Sequence, residues 1–129
     1  MFLSLDFIYL PARDIDAVLP FFVDVLGASL VSKIRAMGTI VGEVRLTENG
    51  PRLILAEHLH GRAPVLIYRV ADLDETTAAL RARGLKKGEA IEIPHGPCYR
   101  FDSPSGHRFA IYQLERPEAD QAFAGRIDL

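Results

Sequence analysis

The chain has 129 residues, 49% hydrophobic and 25% charged, the make-up of one globular domain with its own core rather than of a disordered segment. A net charge of −2 without a lysine–arginine run argues against nucleic acid as a partner, and no apolar run is long enough to span a bilayer. The single cysteine, Cys98, excludes an intramolecular disulfide, and the opening MFLSLDF carries neither a basic segment nor a cleavage site, so a cytoplasmic setting is expected.

A first strand is expected over residues 3–10, an apolar β-rich stretch closed by Pro11, which has no N–H for a ladder. Asp14 is placed to cap a helix in which Ile15, Val18, Leu19, Phe22 and Leu26 recur at helical spacing, with Gly27 as the stop. Pro20 fits that helix only if its regular part starts near Ala17, keeping the ring in or close to the first turn. Residues 28–58 read as three strands, and Asn49-Gly50 is expected to turn the second into the third because both tolerate positive φ.

The pattern then restarts. Residues 63–70 form another β-rich run, and Asp72-Leu73-Asp74-Glu75 is a capping box opening a helix that stops at Gly84. Three more strands are expected over 86–93, 98–102 and 107–113, with Pro104-Ser105-Gly106 turning the last pair. Laid over each other, Ile8 to Asp16 match Leu66 to Asp74, and the two helix-ending glycines fall within one residue. The letters agree weakly, but strand, cap, helix and stop recur in the same order, as a repeat requires. A ferredoxin-like domain with two ordinary strand–helix units is the alternative.

Ala12-Arg13-Asp14-Ile15-Asp16 through Phe21-Phe22-Val23-Asp24-Val25-Leu26-Gly27 resembles the first-strand and helix signature of the glyoxalase/bleomycin-resistance/dioxygenase (vicinal oxygen chelate) superfamily. Phe101-Asp102-Ser103-Pro104-Ser105-Gly106-His107 is similar to its late turn, with serine for the usual aspartate and histidine for asparagine. The resemblance implies an α+β fold of two βαβββ modules, over residues 1–60 and 61–115, forming an open, cup-shaped mixed β-barrel. Residues 116–129 lie outside it, as a short helix, an arm on a neighbouring surface, or a disordered tail.

In such a fold the helices pack outside the barrel, and period-2 alternation sorts each strand into helix-facing and cup-facing sets. The expected inward residues are Phe7 and Tyr9 (with Pro11) on the first strand and Leu53, Leu55 and Glu57 on the fourth. On the fifth they are Val65, Ile67 and Arg69, and on the eighth Arg108, Ala110 and Tyr112. Metal-dependent members of the family place one ligand on each of these strands, at positions corresponding here to Phe7, Leu55 (Glu57 if the register slips by two), Val65 and Ala110. None of those four side chains donates to a divalent cation, so neither metal nor cofactor is expected. Apolar walls with a few polar groups suit a planar or aromatic small molecule.

Other groups invite chemistry. His58 and His60, joined by His95 and Cys98, are a candidate relocated metal site; Cys98 is also a candidate nucleophile, though a lone cysteine on a strand is commonly a small buried hydrophobe. Glu57 in an apolar cup is a weak candidate general base unless Arg69 or Arg108 holds it ionised. The first reading is therefore a metal-free binding protein that sequesters a small organic ligand, as bleomycin-resistance proteins do, with antibiotic resistance as the implied role and a homodimer as the implied assembly. The alternative is an enzyme of the same superfamily, with a relocated metal or with acid–base chemistry at Glu57. A structural or regulatory module with a filled cup is the third.

Overall fold

The computed structural model describes residues 1–128. In chain order its elements are β1 (Ser4–Pro11), α1 (Ile15–Pro20) running into a π-helical turn (Phe21–Val25), β2 (Ser29–Ala36), β3 (Thr39–Arg45) and β4 (Arg52–Ala56). The series then repeats as β5 (Val65–Val70), α2 (Leu73–Ala82), β6 (Glu89–Ile93), β7 (Gly96–Asp102) and β8 (Arg108–Gln113), followed by α3 (Ala119–Phe123).

Asp14 caps α1 by accepting the Ala17 N–H at 3.3 Å, and Asp72 caps α2 by accepting the Glu75 N–H at 2.9 Å. Gly27 and Gly84, at φ +78° and +115°, end the two helical segments in the left-handed region that glycine adopts without penalty. Pro20 departs from expectation. Helix α1 begins at Ile15, so the proline is its last residue rather than part of its first turn, and it cannot donate to the carbonyl one turn back. The helix widens there, and the Leu26 N–H reaches the Phe21 carbonyl five residues earlier, at 3.0 Å. Pro11 also differs, standing inside β1 as its last residue, opposite Ala56.

The strands form one open, mixed, eight-stranded sheet among the described residues, in the order β2-β3-β4-β1-β5-β8-β7-β6. The two halves meet where β1 pairs antiparallel with β5, and each of these also has a parallel partner, β4 and β8 respectively. The expected Asn49-Gly50 hairpin is replaced by a longer loop, in which Gly50 but not Asn49 has positive φ. The two-residue turn sits instead between β2 and β3, where Met37 and Gly38 take φ +54° and +76°.

One face of the sheet is covered by helices. Ile15 and Leu19 of α1 pack on Ile40, Val44 and Leu55, while Leu73 of α2 packs with Val70, Tyr99 and Ile111. The other face carries a separate cluster of Phe7, Ile54, Ile67, Ile93, Cys98, Ala110 and Tyr112. Beyond β8, the chain crosses to the far edge of the sheet. There the Gly125 N–H donates to the Val31 carbonyl at 2.9 Å, and Ile127 bridges Lys33 in parallel. A bulge in β2 between Leu30 and Ser32 sets Val31 outside the ladder to β3.

Candidate functional site at the cup

The inner face is read directly from strand pairing, because residues opposite one another share a face. Phe7 lies opposite Ile67, which lies opposite Ala110; Tyr9 lies opposite both Ile54 and Val65, and Ile54 opposite Glu43. These side chains, with Arg52 and Tyr112, form the floor and wall of the cup. Phe7, Tyr9, Val65, Ile67, Ala110 and Tyr112 thus stand on the expected face and join one apolar cluster.

The fourth strand is the correction. Leu53 and Leu55 pack against α1, and Glu57, beyond the strand end, accepts the Ile15 N–H at 3.1 Å as a second cap on that helix. Leu53-Ile54-Leu55 is apolar on both faces, so alternation alone cannot choose the phase. Arg52 and Ile54 are the residues that face inward. Glu57 is therefore outside the cup, and acid–base chemistry there is not supported.

With the phase corrected, the four central positions carry Phe7, Ile54, Val65 and Ala110, and the donor set does not fit a divalent cation. Nor do the other candidates assemble. His58 contacts Thr39 Oγ1 at 3.3 Å, and His60 lies on the loop after β4, where its carbonyl accepts from Arg108 at 2.8 Å. Among the described residues no group of three or more His, Cys, Asp or Glu side chains could hold a metal ion. Cys98 is buried, and desolvation pushes its thiol up to about 12, which suits a core residue rather than a nucleophile.

The polar groups gather at one end of the cup. Arg52 donates to both carboxylate oxygens of buried Glu43 at 2.7 Å, and its remaining Nη1 donates to Asp120 Oδ1 of α3 at 2.6 Å. Its guanidinium also lies 5.0 Å over the Phe7 ring. Burial works against the arginine's charge, but the hydrogen bonds it donates to Glu43 and Asp120 more than restore it and raise its pKa. His95, from the β6–β7 turn, stacks on the same ring at 4.9 Å and contacts Asp120 Oδ1 through Nε2 at 2.6 Å. Partial burial acts to raise the Asp120 pKa, yet the bonds to His95 and Arg52 outweigh it and hold the carboxyl below the usual range.

A bulge in β1 between Leu5 and Phe7 leaves Asp6 without a partner on β5. Its carboxylate accepts from Tyr112 Oη and, at 2.6 Å, from Ser4 Oγ, while Arg69 Nε lies 3.4 Å away without a hydrogen bond. Desolvation and the Asp6 bond raise the Tyr112 pKa, and burial, with Cys98 and Glu43 nearby, pushes Tyr9 up to about 12. Both phenols are neutral hydrogen-bonding groups at ordinary pH. Asp6, Phe7, Arg52, Arg69, His95 and Tyr112 together border a cavity of about 170 Å³, which Pro117 and Asp120 of the C-terminal segment also line. Arg108 stands apart. It ties down the β4–β5 loop through the His60 and Ala63 carbonyls, beside a wider open groove of about 950 Å³ that includes Phe101, Phe109 and Lys86.

Arg52, Glu43, Asp6 and Asp120 are the site residues that the sequence reading missed. Glu43 offered a signal, since a carboxylate between Gly42 and Val44 in an apolar strand needs a buried partner.

A family model described as Glyoxalase/Bleomycin resistance protein/Dioxygenase superfamily matches residues 4–111. No curated protein matches the chain. Among solved structures, methylmalonyl-CoA epimerase from Mycobacterium tuberculosis is similar with a TM-score of 0.69 and 19% identity, over 88% of this chain and 89% of that one. A Streptomyces coelicolor methylmalonyl-CoA epimerase variant in complex with 2-nitronate-propionyl-CoA gives 0.71 at 16% identity, over 89% and 96%. A catechol 2,3-dioxygenase gives 0.67 at 18% identity, over 95% of this chain but 44% of that one. At such identities the likeness is one of fold.

Proposed function

This chain belongs to the glyoxalase/bleomycin resistance protein/dioxygenase superfamily, and from that premise we propose that it is a metal-independent binding protein for a small, planar organic carboxylate. The observation that carries the reading is the Arg52–His95 pair in the cup, where both side chains lie against the Phe7 ring and both meet one carboxylate. A ligand would bury in the cavity beside Phe7 and Tyr112, while its carboxylate would meet Arg52 and His95. The cavity of about 170 Å³ favours a single-ring or short-chain acid, because pockets for larger ligands begin near about 300 Å³. Binding would be stoichiometric. A homodimer belongs to the same reading, since Phe21 and Val25 of the π-helical turn and Leu26 just after it leave apolar side chains exposed; light scattering tests that part.

The test of binding is calorimetric titration with benzoate in a chelator-containing buffer, with uncharged benzamide as the control. Benzoate should bind saturably and benzamide far less. His95→Leu should weaken benzoate about tenfold, the loss of one hydrogen bond to the ligand carboxylate. Binding that appears only after a divalent metal is added, or equal affinity for benzamide, would overturn the proposal.

A further inference from the structure

We infer that the segment after β8 is a displaceable latch, in which the Asp120 carboxylate holds the place that a ligand carboxylate takes. This rests on the binding reading above and specifies how its site is regulated.

Arg52 and His95 are organised without Asp120. The Arg52 side chain is 18% exposed and is already held by Glu43 and Phe7; that of His95 is 10% exposed and lies on Phe7. Asp120 is the loose partner, with its side chain 49% exposed. It rides on a five-residue helix that has no side-chain cap and buries only Ala119. A helix this short has little stability of its own and depends on what it packs against.

The segment is pinned on both sides of that helix, which confines the motion. Before it, Arg116 donates to the Pro94 and Ile93 carbonyls at 2.9 Å and to Glu92 at 2.7 Å. After it, the Gly125 and Asp128 N–H groups pair with β2. Lifting residues 117–124 would take Pro117 and Asp120 out of the cavity lining without unfolding any strand. An incoming carboxylate replaces the lost one at Arg52 Nη1 and His95 Nε2, so the charge at the site is unchanged. The latch thus selects for anions, because a neutral ligand that displaced Asp120 would leave a partly buried arginine donor unpaired.

The experiment compares benzoate binding to the wild-type chain, Asp120→Ala and the near-isosteric Asp120→Asn, and follows the Ala119–Phe123 amides by NMR. Both variants should bind about fivefold tighter, the gain from removing an internal competitor bound through a largely exposed ion pair. In the wild-type chain, benzoate should move the α3 amides toward the positions they take in Asp120→Ala. Equal affinity in all three proteins with unmoved α3 amides would overturn the latch and leave the binding function standing. Weaker binding by Asp120→Asn would also overturn it, making Asp120 part of the ligand's own contacts. No benzoate binding by any of the three would overturn both readings.

Discussion

Arg52 and Glu43 join β4 to β3 by a bidentate ion pair in which Glu43 is 6% exposed. Removing one member leaves the other charge buried, whereas replacing both with apolar groups of similar size does not. Arg52→Met should therefore cost about 3 kcal/mol, and the double variant Arg52→Met/Glu43→Leu should return to within about 1 kcal/mol of the wild-type chain. Urea unfolding of the two single variants and the double variant gives the cycle directly; additive losses would mean the pair is not coupled. Glu57 behaves differently because its partner is a helix N–H. Glu57→Ala should lose about 1 kcal/mol of stability and leave benzoate affinity unchanged. A loss of affinity at constant stability would return Glu57 to the site.

At the level of elements, the β2–β3 hairpin turns through Met37 in the left-handed region, although its side chain is fully exposed and packs on nothing. Asn and Gly take that conformation at lower cost. Met37→Asn should raise stability by about 0.5–1 kcal/mol, seen as a higher urea midpoint at unchanged slope. Sequence signals located the elements well where they were local. Asp14 and Asp72 cap as their spacing suggests, and Gly27 and Gly84 stop the helical segments. Phase on β5 and β8 was legible too, because Arg69 and Arg108 leave the alternate set wholly apolar for a helix, and the repeat carries the same phase to β1. It failed on β4, where Leu53, Ile54 and Leu55 satisfy both faces and only the pairing of Ile54 with Glu43 and Tyr9 decides. The Asp120 contact was not legible at all, since it spans 68 residues to Arg52 and depends on where a short tail helix lands.

Across the whole molecule, two carboxylates hold the C-terminal segment to the sheet alongside its backbone pairing with β2. Asp120 faces Arg52 on β4, backed by Glu43 on β3, and His95 from the β6–β7 turn. Asp128 accepts from the Arg126 side chain and from the Arg35 N–H of β2, near the Lys33–Asp16 ion pair. The Arg126 bond, then the Arg35 N–H, holds the Asp128 carboxyl below its usual range, as His95 and Arg52 do for Asp120 against the opposing effect of burial. A group whose pKa is depressed by folding contributes stability that is fully present above its unfolded value, about 3.9, and is lost as the pH falls through the folded value. The segment should thus stay attached across neutral and mildly acidic pH and detach only below about pH 4. Heteronuclear NOEs measured from pH 6 to pH 2.5 should show residues 117–128 becoming mobile before the β1, β5 and β8 amides lose protection. Asp120→Asn should free α3 at neutral pH while the Gly125 and Asp128 amides remain paired with β2. A segment that stays rigid down to the global acid transition would show that the backbone pairing with β2, and not the two carboxylates, holds it.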